Sequence, residues 1–452
     1  MHILKGYTKQ EISWMMYDWA NSAHSVIIVT LLPIFFDTVA GYTADSVSSM
    51  STWGYATSIA MLIVALAAPF LGVFGDIRGM RKKLFSFFML LGVAACAGMA
   101  FTPGMDFTSG PVAAGKVATL ILVLYIVSVI GFDASAIYYD AFLTDVTIED
   151  RMDKVSTMGY GLGYIGGSTI PLLIFLIMNL VGVPMLTCLA FVFGLTAVWW
   201  LAFSLPLLKN CEQTSGKPYE KGDVARSMKG VGTTIKEIIA NKPMLIYILS
   251  YFFYIDGVHT VISMATTYGT NLGLDSTGMM LALLLVQILG LPFCLLYIKC
   301  SEKFGARTMV GFGICVYMFI CIFAFFMNSL WQFWVLAVLC ATSQGGIQAL
   351  SRSMYGKLIP DKDRSGEFFG FFDIFGKFSS IMGPALVGVV SSAVANGMLG
   401  AQGLTAQTAT AEQIDAINAQ SSHYGILSII IIIIVGAVLY FGFLPKAEHA
   451  KQ

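Results

Sequence analysis

The chain has 452 residues, 57% of them hydrophobic and only 12% charged, about half the roughly 25% charged content of a soluble globular domain. Lys and Arg number 26 and Asp and Glu number 26, so the formal net charge is zero. This balance excludes a soluble globular domain and a disordered chain, and it offers no basic bias toward nucleic acid.

At about 20 residues per membrane-crossing helix, a chain of this length holds roughly a dozen spans. Reading apolar runs against polar breaks predicts twelve helices, at 12–37, 51–74, 84–102, 117–142, 157–179, 185–208, 244–270, 277–298, 308–327, 331–355, 367–395 and 423–444. Runs such as LSIIIIIIVGAVLYFGF are continuously apolar, whereas barrel strands alternate between lipid-facing and lumen-facing residues. The expected class is therefore all-α integral membrane. The opening MHILKGYTKQE is too polar for a cleaved signal peptide, so insertion is expected to rest on the spans themselves.

The first span begins with Tyr17-Asp18-Trp19-Ala20-Asn21-Ser22-Ala23-His24, a polar start for a segment that must enter lipid. Counting 1.5 Å per residue from position 13, Asp18 lies about 7 Å deep and His24 about 16 Å. Depth favours an interfacial structural role or a binding role equally for Asp18, and cavity lining for Asn21 and His24. After the second span comes Gly72-Val-Phe-Gly-Asp76-Ile-Arg78-Gly79-Met-Arg81-Lys82-Lys83. Asp76 at a helix end can accept charge-assisted bonds from Arg78 or Arg81, or face a neighbouring helix N-terminus, and so act as a conformational latch. Positive-inside anchoring alone explains neither Asp76 nor Gly79.

In the fourth span Asp133 lies deep, and Tyr138, Tyr139 and Asp140 approach the cation-rich face, a grouping suited to a polar or cationic substrate group. Helix capping and interfacial tyrosines account for Asp140 and its neighbours equally well. The fifth-span glycines Gly159, Gly163, Gly166 and Gly167 read as close helix packing rather than phosphate binding. Residues 209–243 divide the spans six and six. Within them Val224, Met228, Val231, Ile235 and Ile238 form the stripe of a short amphipathic helix. The expected organisation is a six-helix half at 1–208, a cytoplasmic linker at 209–243 and a second half at 244–452.

The seventh span carries Tyr254, Asp256 and His259, with Asp256 about 18 Å from the cytoplasmic end. A carboxylate at that depth fits a proton carrier, and it also fits a permanent ion pair. Glu302 and Arg307, between the eighth and ninth spans, repeat the placing of Asp76 and Arg81. The tenth span adds Gln344 and Gln348, with Arg352 expected to snorkel to the cytoplasm. In the eleventh, Asp373 and Lys377 stand four apart on one face, and Lys377 is the cation within the spans. It can close an internal pair, meet a substrate carboxylate, or exchange partners with Asp256. Six of the cysteines fall inside apolar runs and two, Cys211 and Cys300, at their edges. No CxxC pair or histidine spacing fits a metal, and no cofactor is expected.

Of the 26 cations, 24 fall on one side, Arg352 at the end of the tenth span and the others in loops or termini, against Lys116 opposite and Lys377 deep within a span. By the positive-inside rule that side, with both termini, is cytoplasmic. Three local matches relate the halves: His24-Ser-Val-Ile to His259-Thr-Val-Ile, the 76–81 loop to 302–307, and Asp150-Arg151 through Gly163 to Pro171 with Asp363-Arg364 through Gly376 to Pro384. Two like-oriented halves point to a parallel repeat.

The 72–83 loop closely resembles the major facilitator pattern G-x-x-x-D-x-x-G-R-K/R-K. Together with Tyr17-Asp18-Trp19-Ala20-Asn21-Ser22, Tyr138-Tyr-Asp-Ala-Phe-Leu143, the 159–167 glycine run, Gly345-Gly-Ile-Gln-Ala-Leu-Ser-Arg-Ser353, Glu367-Phe-Phe-Gly-Phe-Phe372 and Gly376-Lys-Phe-Ser-Ser380, it resembles the major facilitator branch related to the fungal vacuolar amino-acid effluxer. That resemblance, over residues 12–444, implies twelve helices in two pseudo-repeated halves and alternating access, and it points toward amino acids. The chain lacks the long loops of the fungal proteins, and His24 stands where they often have Tyr.

The expectation is therefore a proton-linked secondary transporter, working around a midplane site from spans one, four, seven, ten and eleven. Its partners would be a small-molecule substrate, protons and the lipid bilayer, without nucleic acid, in a monomer of the bacterial cytoplasmic membrane. Export of drugs or organic ions, and a non-transporting membrane sensor, are the competing readings. No span carries a nucleophile, base and orienting group together, so an enzyme is not expected.

Overall fold

The computed structural model describes residues 4–43, 49–218, 223–404 and 408–444. Lys446 and Lys451, counted above on the cation-rich face, lie outside them. In chain order the helices are α1 (Lys9–Ala40), α2 (Ser49–Gly75), α3 (Arg81–Met99), α4 (Pro111–Val146), α5 (Met152–Gly163), α6 (Ile170–Leu180), α7 (Met185–Asn210), α8 (Asp223–Ala240), α9 (Lys242–Asn271), α10 (Ser276–Phe304), α11 (Ala306–Phe325), α12 (Leu330–Leu358), α13 (Ser365–Ala401) and α14 (Ala411–Val438). A π-helical stretch, Tyr164–Thr169, joins α5 to α6 within one span. Among the described residues twelve helices are long and apolar enough to cross a membrane, so the chain is an all-α, multi-pass membrane protein. Large apolar side chains such as Leu62, Leu66, Phe87, Val198, Phe319 and Ile431 are exposed, as lipid-facing positions require.

Local chemistry sets the helix ends. Thr8 and Glu11 form a capping box at α1, the Glu11 N–H donating to Thr8 Oγ1 at 3.1 Å and the Thr8 N–H to Glu11 Oε2 at 2.8 Å. Asn241 and Asp275 cap α9 and α10. Several helices run past the apolar stretches. Residues 396–422, which separate the last two predicted spans, are helical to Ala401 and again from Ala411, where Thr410 and Gln413 make a second capping box. Polar turns beyond the hydrocarbon still form backbone hydrogen bonds, and hydropathy does not register them.

The chain packs as two compact units. The first comprises Met1–Thr234 with Gly356–Ile374, and the second comprises Ile235–Tyr355 with Phe375–Gln452. In the first, the fifth-span glycines bring their helix against α1. A Cβ on Gly159 would lie 2.3 Å from Asp18 Oδ2, one on Gly163 2.5 Å from Ser22 Oγ, and one on Gly166 2.1 Å from the Trp19 ring. A second seam joins α2 to the start of α13. A Cβ on Gly72 would lie 2.2 Å from the Gly366 carbonyl oxygen, and one on Gly370 2.5 Å from that of Ala68. Ala68, Gly72 and Asp76 are each four apart, so this row of small residues leads directly to the Asp76 carboxylate.

Because neither backbone can retreat far in that seam, Gly72→Leu is expected to destabilise the protein by about 1–3 kcal/mol through overpacking. Gly54→Leu, at an exposed α2 position with nothing within 4 Å of the added Cβ, serves as the control. Reversible unfolding of the two purified variants checks this: equal stability would mean the seam yields.

In the second unit α9 crosses α14 closely. A Cβ on Gly436 would lie 2.7 Å from the Tyr254 backbone nitrogen, and Ser250 donates to the Gly436 carbonyl at 2.8 Å. Of the linker stripe, the side chains of Val224 and Met228 lie outside the described set. Ile238 is buried and Ile235 exposed on α8.

Candidate functional site

The most polar part of the second unit gathers residues from α9, α12 and α13. Asp256 is fully buried. Its Oδ1 accepts the Gly383 N–H at 2.9 Å and the Thr260 hydroxyl at 3.3 Å, and its Oδ2 has no hydrogen-bond partner among the described residues. Gly383 makes this approach possible, since a Cβ there would fall 1.8 Å from Thr260 Oγ1 and 2.5 Å from Asp256 Oδ1. One turn along α9, His259 bonds Gln348 of α12 and lies within electrostatic reach of Lys377 of α13. Gln348 Nε2 also donates to the Gln344 carbonyl at 3.1 Å. Buried Tyr254 shares a 2.7 Å hydroxyl contact with Ser351. The arrangement places a carboxylate, an imidazole, two amides and an ammonium within one helical unit, groups able to bind a zwitterion or pass a proton.

Arg352 is 4% exposed, so it does not snorkel into solvent as its sequence position suggests. Asp373, one turn before Lys377 on α13, belongs to the first unit.

The polar residues of the first unit are more enclosed. His24 is 2% exposed, stacks on Phe132 with ring centroids 4.7 Å apart, faces Trp200 at 5.2 Å and shares a 3.2 Å contact between Nε2 and Ser128 Oγ. Tyr139 stacks on Trp14 at 4.4 Å, and Trp14 Nε1 donates to the Tyr139 carbonyl at 2.8 Å. Asp18, Asn21 and Asp133 are buried, and Asp140 is partly exposed. Asp18 lies against Gly159, and Asp133 is one helical turn beyond Ser128 and Val129 on α4.

The loop after α2 builds the densest polar centre of the first unit. Arg81 is fully buried. Its Nη2 donates to Asp76 Oδ1 at 2.9 Å and Ser365 Oγ at 2.8 Å. Its Nη1 donates to Asp145 Oδ2 at 2.5 Å, Ser215 Oγ at 3.1 Å and the Ala141 carbonyl at 3.2 Å. Asp76 also accepts the Gly366 and Glu367 N–H groups at 2.7 and 2.8 Å, which places it on the N-terminus of α13. Burial pushes the Asp76 carboxyl up to about 7, against the pull of Arg81 and those two N–H groups.

Gly79 takes a left-handed φ of +81°, and its N–H donates to Gln213 Oε1 at 2.9 Å. Arg78 is exposed, and its N–H donates to the Lys217 carbonyl at 2.9 Å. Linker residues 213–217 thus strap the loop, and Asp145 Oδ1 accepts the Thr214 and Ser215 N–H groups. Asp145, Gln213, Ser215 and Ser365 carry no sequence pattern that points to this centre. Glu302 is exposed, while Arg307 Nη2 donates to the Leu444 carbonyl at 2.6 Å.

Comparison with known proteins places this geometry in a family. A family model described as "Vacuole effluxer Atg22 like" matches residues 39–400. An uncharacterized MFS-type transporter of Bacillus subtilis (strain 168), YxiO, is 40% identical and covers 98% of this chain and 96% of its own length. Autophagy-related protein 22-1 of Penicillium rubens is 25% identical over 55% of this chain, and the match spans 46% of the fungal protein. Among solved structures, the proton:xylose symporter XylE bound to 6-bromo-6-deoxy-D-glucose aligns with a TM-score of 0.69 at 14% identity, covering 97% of this chain and 94% of XylE. The transporter FucP in its outward conformation aligns at 0.63 and 12% identity, covering 95% and 98%. At such identities the structures establish the fold alone.

Proposed function

The chain belongs to the vacuole effluxer Atg22-like family of major facilitator transporters, and from that membership we propose that it carries amino acids or related small zwitterions in a proton-linked cycle. It is a membrane transporter and not an enzyme. The observation that carries the finer reading is the second-unit cluster of Asp256, His259, Gln348 and Lys377. An ammonium at Lys377 complements a substrate carboxylate, and the open Oδ2 of buried Asp256 complements a substrate ammonium or a proton. In the first unit, Asp76 and Arg81 act as a conformational latch, holding the loop after α2 to the start of α13.

The family description supports efflux, and the sequence resemblance to the branch of the fungal vacuolar amino-acid effluxer supports amino acids as the cargo. The bacterial relative and the cation-rich face support a multi-pass protein of the bacterial cytoplasmic membrane with both termini cytoplasmic.

The test is a panel of amino acids offered to proteoliposomes containing the purified protein, with and without an imposed pH gradient. At least one is expected to move in a gradient-dependent way and to be competed by its unlabelled form. Gradient-dependent flux of organic cations with none of amino acids would replace the assignment by drug export.

A further inference from the structure

The second unit holds a cavity distinct in character from the polar cluster. It lies between α9, α10, α11, α12 and α14, and its wall is apolar apart from a few groups. Tyr268 contributes a hydroxyl, but that group is engaged, donating to the Ala324 carbonyl at 2.6 Å and meeting His423 Nδ1 at 2.6 Å. Gln287, on α10, differs: the residue lines the cavity, and its buried amide oxygen has no hydrogen-bond partner among the described residues. An acceptor taken out of water without a donor is costly, and the cost disappears when a ligand supplies the donor. The surrounding wall, including Ala337 and the thiols of Cys321 and Cys340, offers dispersion contacts and no charge to neutralise an ion.

We propose that this cavity binds a neutral aromatic molecule carrying one hydrogen-bond donor, of the phenol or indole class, with the donor on Gln287 Oε1 and the ring against the apolar wall. A charged ligand would leave its ion unpaired there, and a pure hydrocarbon would leave Gln287 unsatisfied. Gln344 lines the cavity while its carbonyl accepts from Gln348 of the polar cluster, so the two sites share one helix turn of α12. The proposal does not depend on what the protein transports.

The experiment titrates 4-fluorophenol and 4-fluorotoluene onto the purified full-length protein in nanodiscs, with binding read by fluorine NMR. Location is read from the rate at which N-ethylmaleimide modifies Cys340, with exposed Cys315 as the internal reference. Saturable binding is expected, about tenfold tighter for the phenol, the effect of one buried hydrogen bond. Cys340 should be protected with Cys315 unchanged, and Gln287→Leu should bring the two ligands to equal affinity. Absence of saturable binding, equal affinities in the wild type, or no protection of Cys340 would each overturn the proposal. The wild-type comparison of the two ligands decides the matter even if the variant does not fold.

Discussion

Replacing Arg81 by alanine is expected to lower the unfolding free energy by about 3–5 kcal/mol, the range for removing one partner of a buried ion pair. The guanidinium is fully buried and joins two carboxylates, Asp76 at 2.9 Å and Asp145 at 2.5 Å, with Ser215 and Ser365 closing the ring of acceptors. Without it, two buried carboxylates face each other with no cation. Burial already holds Asp76 near 7 while Arg81 pulls it down, so loss of the cation drives it higher and Asp76 takes up a proton at neutral pH. A neutral carboxyl accepts the Gly366 and Glu367 N–H groups less strongly, and the start of α13 loosens from the α2 seam.

Arg81→Lys should recover only part of the loss, because a single ammonium cannot reproduce a planar fork that meets two carboxylates at once. Reversible unfolding of the purified variants, combined with Asp76→Asn in a double-mutant cycle, measures the coupling. Additive single and double losses would show that the pair is not the unit that holds this loop.

The residues that announced themselves in sequence were those at odds with their surroundings. Asp256, Asp133 and Lys377 are charges in apolar runs, and Asp76 with Gly79 stands in a loop pattern with a left-handed position that only glycine takes easily. Their partners did not show. Gly383 reads as an ordinary glycine before Pro384, yet its N–H is what Asp256 accepts. Asp145, Gln213 and Ser365 are brought to Arg81 by contacts spanning up to 284 positions, and no local periodicity encodes contacts of that range. Leu444, whose carbonyl accepts from Arg307, lies 137 positions away and is equally silent in sequence. Spans were legible because lipid demands continuous apolarity, and their polar ends were not because water makes no such demand.

Asp256→Asn is expected to reduce gradient-driven accumulation by about 100-fold or more, the low end for losing a positioned proton-transfer group, while substrate exchange at equal pH continues. The substitution is nearly isosteric. Its Oδ1 can still accept the Gly383 N–H and the Thr260 hydroxyl, so the α9 to α13 crossing keeps its geometry. What changes is Oδ2, the oxygen without a partner, which becomes an amide nitrogen unable to receive a proton or to pair with a substrate ammonium.

A carrier that can no longer exchange this proton still cycles with substrate bound, and therefore exchanges without accumulating. Counterflow and gradient-driven uptake measured in the same proteoliposome preparation separate these cases. Retention of both activities would remove Asp256 from the proton path. Loss of both in a folded variant would instead make it a substrate-binding group, with His259 and Lys377 the next positions to carry the proton.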